Sequence, residues 1–271
     1  MQGIADMSSN KTEQGFVSFV SGGPGPVDLL TLRGKSRIES ADVILYDALL
    51  DPSFLEIFPE SSQILYVGKR AKEHYRTQDE INSLLVHYAN QGKRVVRLKG
   101  GDASIFGRLS EEIQTLETNG IPFEVIPGVS SVTTGASDLG ISLTVRGLSR
   151  QIIILDGHTI LEEERSWMGM ENFPGTIVIL MGSQKTKELA ERLIRKGVSP
   201  STPIALLENA GSTRATYTVS TLDKTQKEGL EKKTKGPGIL YVGEVVRPLL
   251  LGEKKQLESI SFFPFISEPM E

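Results

Sequence analysis

Short apolar runs alternate with amphipathic segments along most of this chain, and nearly every apolar run ends in glycine. In the first half, "FVSFV" (16–20), "DVILYD" (42–47), "QILYVG" (63–68), "RVVRLKGGD" (94–102) and "FEVIPG" (123–128) read as strands. Between them "LLTLRGKSRIE", "DEINSLLVHYANQG", "SEEIQTLETNG" and "VSSVTTGASDLG" have helical spacing. Asp28 is placed to cap the first helix, and Gly92 and Gly120 to stop the second and third. Regular alternation of strand and helix implies a mainly parallel sheet covered on both faces.

The pattern restarts near residue 146. "RQIIILDGH" reads as a fully apolar strand, followed by the strand "GTIVILMG", the helix "SQKTKELAERLIRKG" and the strands "PIALLENA" and "GILYVGEVV". "TRATYTVSTLD" alternates polar and apolar residues, as an antiparallel strand does. The expected fold class is therefore α/β with two α/β domains: a mainly parallel N-terminal sheet and a mixed C-terminal sheet. A ligand cleft is expected between them. The expected boundaries are a disordered tail over 1–14, an N-terminal domain over 15–146, a C-terminal domain over 147–250 and an extension over 251–271.

Composition narrows the function classes. A net charge of −4 gives no footing for nucleic acid. The absence of cysteine excludes disulfides, thiolate metal sites and a thiol nucleophile. The first fifteen residues lack a signal-peptide pattern, and no apolar run approaches the ~20 residues of a membrane span. A cytoplasmic protein with no membrane partner is expected. His74, His87 and His158 are scattered, so no metal site is expected. No G-x-S-x-G elbow is present, which speaks against a hydrolase.

Ligands of such sheets bind at the carboxyl ends of the strands. There the chain places Gly22-Gly23-Pro24-Gly25, Asp47, Gly68-Lys69-Arg70, Gly100-Gly101-Asp102, Pro127-Gly128, Met181-Gly182 and Asn209-Ala210. A dinucleotide fits the first loop poorly. Gly23-x-Gly25-x-x-Asp28 lacks the third glycine of that fingerprint, and Pro24 and Pro26 remove two N–H donors a pyrophosphate would use. Asp47 does lie about where a ribose-binding acid would, ~20 residues on. A basic group (Lys69, Arg70, Lys72, Arg76, Arg108, Arg146, Arg150) accompanies the glycine loops. Arg108 and Arg146, facing the expected cleft, suit a polycarboxylate.

"GGPGPVDLLTL", "ADVILYDALL", "YVGKRAKEHYRTQDEIN", "KRVVRLKGGDASIFGR", "EEI", "GIPFEVIPGVSSV", "LTVRG", "MGS", "ALLENA" and "GILYVGEVV" occur in order from residue 22 to 246. Together they resemble the tetrapyrrole methylases, and within them the uroporphyrinogen-III C-methyltransferases. "YD-x-L" and "GKRA…H…Q-x-E-I-N" carry the narrower resemblance.

The resemblance implies S-adenosyl-L-methionine as methyl donor, leaving S-adenosyl-L-homocysteine, usually in a homodimer. It implies C-methylation of uroporphyrinogen III at C2 and C7, giving precorrin-2 by way of precorrin-1, in sirohaem or cobalamin biosynthesis. It makes Asp47 the base and Lys69 a proton donor, with Arg108, Glu111 and Arg146 also catalytic. It assigns the donor to Pro24, Gly100, Gly101, Asp102, Ile105, Ser130, Ser131, Met181 and Ala210, and the substrate to Arg70, Arg108, Arg146 and Met181. An ion pair at a strand end remains the plain alternative for Asp47 and Lys69, and a core methionine that for Met181.

The chain departs from the family pattern at Ser21, Pro26, Asp138, Val145 and Ala210, in "GGDASIF" and in "GRLSEE". The family's usual residues there are glycine at 21, aspartate at 26, tyrosine at 138, histidine at 145 and glycine at 210. Two other readings stay open: a methylase of a later corrin intermediate, and a non-catalytic nucleotide- or tetrapyrrole-binding protein. The chain has no room for the dehydrogenase–ferrochelatase domain fused to some relatives, so neither NAD nor iron chemistry is expected.

Overall fold

The computed structural model describes residues 14–68, 77–170 and 173–252. The chain divides into two compact units between Ser131 and Val132. Each unit is built on one five-stranded sheet.

In the first unit, β1 (Phe16–Ser21), α1 (Leu32–Glu39), β2 (Val43–Tyr46), β3 (Gln63–Tyr66), α2 (Gln78–Asn90), β4 (Arg94–Lys99), α3 (Leu109–Thr118) and β5 (Phe123–Ile126) follow in order. The strands lie in the order β3-β2-β4-β1-β5, and every neighbouring pair is parallel. Successive side chains of a strand point to opposite faces, and both faces are buried here. Val17, Phe19, Val43, Leu45 and Val95 pack with Ile81 and Leu85 of α2 and Leu116 of α3. Val20, Ile44, Val96 and Leu98 pack with Ile38 of α1 and with Phe54. Full burial of each such side chain contributes ~1.5–3 kcal/mol.

The helix ends follow local chemistry, with one correction. Asp28 does not cap α1: it lies in a 3-10 turn, Val27–Leu29, and the chain then runs extended at Leu30. Thr31 stands directly before the helix, and its Oγ1 accepts the Gly34 N–H at 3.1 Å. Thr77 and Glu80 form a reciprocal capping box on α2. That helix ends at Gln91, and Gly92 follows in the left-handed region, as its stop requires.

The second unit begins in α4 (Ser131–Asp138) and continues with β6 (Ile152–Asp156), β7 (Thr176–Leu180), α5 (Thr186–Arg195), β8 (Pro203–Glu208), β9 (Thr216–Thr221), α6 (Leu222–Glu228), β10 (Gly238–Val242) and α7 (Arg247–Leu250). Its order is β6-β7-β10-β8-β9: β6 and β7 are parallel and the other pairs antiparallel. Thus one sheet is all-parallel and the other mixed, as the alternation implied. Ile177 and Ile179 pack beneath α5 with Trp167, the only tryptophan, which is fully buried. On the other face Val178, Leu207 and Tyr241 pack with Val132 and Ala136 of α4. α4 falls in the segment assigned from sequence to the first domain. β6, read from sequence as a fully apolar strand, is an edge strand, and Ile152 is 42% exposed. Among the described residues no helix is long and apolar enough to cross a membrane.

Candidate functional site

In the first unit the glycine loops are stitched together by their backbones. Gly23 N–H donates to Gly101 O at 3.1 Å, and Gly101 N–H returns a bond to Gly23 O at 2.8 Å. Both glycines have positive φ (80° and 67°), open to glycine at little strain. The loop after β5 joins them through Asp102. Its carboxylate accepts the Ser104 N–H at 2.9 Å and the Gly128 N–H at 3.1 Å. Burial pushes this carboxyl up, but the Ser104 and Gly128 bonds outweigh it and hold it below the ordinary aspartate range. Ser21, which departs from the family's glycine, has a job of its own: its buried Oγ accepts the Ala103 N–H at 2.9 Å.

Asp47 follows β2, and its Oδ1 accepts Nη2 of Arg97 at 2.7 Å. Arg97 also donates through Nε to Glu112 Oε1 at 3.1 Å and through Nη1 to Leu98 O at 3.2 Å. Lys99 Nζ holds Glu112 Oε2 at 2.8 Å, and Gln78 Nε2 donates to Oε1 at 3.1 Å. Arg97, Lys99 and Glu112 are buried, while the Asp47 side chain is 28% exposed. The quartet balances two cations against two carboxylates. Burial works against the Arg97 charge, but Asp47 and Glu112 more than offset it and raise its pKa. Lys99 is lowered, by burial first and then by the Arg97 charge, against the pull of Glu112. The sequence reading named only Asp47 of this group. The available signal was Arg97 and Lys99, two residues apart in a strand, which puts both on one face.

Arg108 precedes α3 with φ 54°. Its Nε and Nη2 donate to the two oxygens of Glu111 at 2.8 and 2.6 Å. The pair is exposed. The Arg108 bond holds the Glu111 carboxyl below its usual range, and the same bond raises Arg108. Ile105 N–H closes a turn onto Asp102 O at 3.1 Å, and Phe106 beyond it has φ 51°.

In the second unit Met181, after β7, has φ 56° and is 42% exposed. Asn209, after β8, also has φ 56° and precedes buried Ala210. Its Nδ2 donates to Thr234 Oγ1 at 3.1 Å, and buried Glu208 accepts the N–H groups of Lys233 and Thr234 at 2.7 and 3.1 Å. Asp138 accepts the Gly211 N–H at 2.7 Å. Burial pushes this carboxyl up, against that bond, and its charge adds to the burial that raises Tyr241. Arg146 sits exposed on a turn closed by two bonds between Val145 and Ser149, at 2.8 and 2.9 Å.

Among the described residues only Phe106, Arg108, Met181 and Asn209 are non-glycine residues with left-handed backbones. All lie in loops that follow β4, β7 or β8. Such strain collects where surrounding structure fixes a functional loop. Of the residues named from sequence, Pro24, Asp47, Gly100, Gly101, Asp102, Ile105, Arg108, Glu111, Ser130 and Ser131 belong to the first unit, and Arg146, Met181 and Ala210 to the second. Lys69 and Arg70 lie outside the described residues, as do Lys72, His74 and Arg76. Two surface hollows of about 320 and 330 Å3, beside Arg192 and beside Arg37, include none of these positions. The described residues hold no cluster of three metal-ligating side chains.

The family model described as Tetrapyrrole (Corrin/Porphyrin) Methylases matches residues 17–226. An S-adenosyl-L-methionine-dependent uroporphyrinogen III methyltransferase of Methanosarcina barkeri is 41% identical over 245 residues, covering 89% of this chain and 96% of its own. A siroheme synthase of Actinobacillus succinogenes is 41% identical over 233 residues, 86% of this chain and 48% of its own. The chain therefore spans about half the length of the siroheme synthases it matches. The crystal structure of a uroporphyrin-III C-methyl transferase from Thermus thermophilus complexed with S-adenyl homocysteine superposes with a TM-score of 0.72 at 33% identity, covering 85% of this chain and 98% of that one. On the extent of these matches and the shared architecture, the chain belongs to the tetrapyrrole methylase family.

Proposed function

We propose that this protein is an S-adenosylmethionine-dependent C-methyltransferase that converts uroporphyrinogen III to precorrin-2, by way of precorrin-1, by methylating C2 and C7. The observation that carries this is the near end-to-end likeness to the Methanosarcina barkeri protein, 96% of whose length is matched. The geometry supports it. A Cβ on Gly101 would meet nothing within 4 Å, so this turn leaves open space beside bare backbone. Pro24 has no N–H to offer a phosphate, and a sulfonium donor carries none.

The donor supplies an electrophilic methyl group. The chain's own residues align the partners and manage one proton. Gly100, Gly101, Asp102 and Ile105 of the loop after β4, with Pro24, Ser130, Ser131, Met181 and Ala210, hold the donor. Arg70, Arg108, Arg146 and Met181 hold the substrate, whose eight carboxylates suit paired guanidinium bonds. Arg108 exchanges part of its bond to Glu111 for one of them. As the carbon–carbon bond forms and the sulfur–carbon bond breaks, the ring releases a proton, which the Asp47 carboxylate accepts. Lys69, as proton donor, protonates one ring position as another loses a proton, a tautomer shift with no net proton change. Alignment alone lowers the barrier by several kcal/mol. A homodimer working in the cytoplasm completes the reading.

Incubation with uroporphyrinogen III and the donor tests it. The expected result is two S-adenosylhomocysteines per porphyrinogen and a red fluorescent oxidised product. Absence of any dimethylated product sinks the assignment. Product only from a later corrin intermediate moves the chain elsewhere within its family.

A further inference from the structure

The buried ion quartet is open at one corner. Arg97, Lys99 and Glu112 have side chains 5% exposed or less, and Asp47 alone reaches solvent. A quartet of purely structural value gains nothing from such a corner, because well-packed apolar residues stabilise a core as well or better. The bonding is also directional. All three guanidinium nitrogens of Arg97 are committed, to Glu112, Leu98 O and Asp47. A planar fork fixed at three points cannot swing. Glu112 is fixed in turn, with Lys99 on one oxygen and Gln78 and Arg97 on the other. Only Oδ1 of Asp47 is held, and Oδ2 has no partner among the described residues.

We infer that Arg97, locked by Glu112 and Lys99, is the positioning residue that aims the Asp47 carboxylate, holding Oδ1 and presenting Oδ2 to the proton being removed. This rests on the proton-accepting role proposed for Asp47. A base delivered by a loop is imprecise unless a rigid element holds one of its oxygens, and β4 supplies that element. Arg97 is buried and all its guanidinium bonds go to protein groups, Asp47 among them. Its effect passes wholly through Asp47.

A double-mutant cycle separates this role from a structural one. Turnover is expressed per S-adenosylhomocysteine-binding site, so partial unfolding does not enter. Arg97→Lys keeps the charge without the fork, and Arg97→Gln, should the first fail to fold, keeps a hydrogen-bonding amide at the depth of Nε, two bonds short of the nitrogen that holds Asp47. Each is expected to lower kcat tenfold or more, with KM for the methyl donor within twofold. In an Asp47→Asn background the same substitutions should change kcat less than twofold. Equal losses in both backgrounds overturn the inference, and so does an Asp47→Asn protein as fast as the parent. A second readout needs no turnover: the 13C carboxylate resonance of Asp47, assigned by its loss in Asp47→Asn. It should be single in the parent and broadened or split in Arg97→Lys. An unchanged resonance overturns the inference whatever reaction the protein performs, whereas failure to methylate uroporphyrinogen III overturns only the proposed reaction.

Discussion

Gly23 and Gly101 exchange both of their backbone hydrogen bonds, so the loops after β1 and β4 form one two-residue ladder at left-handed glycines. A Cβ at Gly101 meets no atom within 4 Å, so Gly101→Ala is strained without being crowded. It is expected to cost ~1–2 kcal/mol of unfolding free energy from backbone strain. It should weaken donor binding more than that strain accounts for, since the methyl group projects into the space the donor would use. Urea unfolding and calorimetry with S-adenosylhomocysteine read the two effects. Equal losses in both would show that the turn has no ligand beside it.

Glu112 bonds two buried cations, and its Oε2 is the carboxylate oxygen that holds Lys99 Nζ, at 2.8 Å. Glu112→Ala therefore leaves uncompensated charge and should destabilise the protein by ~3–5 kcal/mol in urea unfolding. The exposed pair of Arg108 and Glu111 should behave differently. Glu111→Gln should change stability by no more than ~1 kcal/mol, while KM for the porphyrinogen shifts as Arg108 is released.

Asp138 gives a pH signature in the second unit. Burial raises its folded pKa, only partly opposed by the Gly211 N–H. Stability linked to this group is fully present below the unfolded value of ~3.9 and is lost as pH rises through the folded value. Trp167 is fully buried in the same unit and reports its unfolding by fluorescence. Asp138→Asn keeps an oxygen for Gly211, so it should abolish the decline from this group and raise stability at pH 7. Parallel stability–pH curves for the two proteins would refute this account.

Met181 distinguishes a ligand contact from a core methionine. Met181→Gly relieves a left-handed backbone worth ~1–3 kcal/mol, against the ~0.5–1 kcal/mol entropy that glycine adds. The melting temperature should hold or rise while donor affinity falls about tenfold, or ~1.4 kcal/mol. A lower melting temperature with unchanged affinity would make it a packing residue.

Strand periodicity made the two-sheet architecture legible, because both faces of each sheet are covered and the strands read as apolar runs. Sheet position was not legible. "RQIIILDGH" and "GTIVILMG" look equally buried, yet one is an edge and the other is paired on both sides. Asp28 has a capping side chain and Thr31 a weaker one, but the 3-10 turn at Val27–Leu29 decides between them. The glycine loops could be read because backbone approach needs glycine. The Arg97 quartet was signalled only by two cations on one strand face, and its partner Glu112 is known only once α3 brings it beneath them. Asn209 was visible only as a residue after a strand. Its left-handed backbone and its hold on Thr234 are tertiary facts.

The strand order of the first sheet also governs when that sheet can form. β1 leaves the ribosome first, but its neighbours are β4 and β5: Phe16 pairs with Arg94, and Val17 with Phe123. The opening strand must wait, unpaired and apolar, until β4 is complete at Lys99, and on its other side until β5 is complete at Ile126. Antiparallel β8 and β9 meet across a short connection and can zip at once. Loop closure this long slows folding and leaves an aggregation-prone edge exposed meanwhile. The second unit should therefore acquire structure sooner after its last strand emerges than the first, and the first should depend more heavily on chaperones during synthesis.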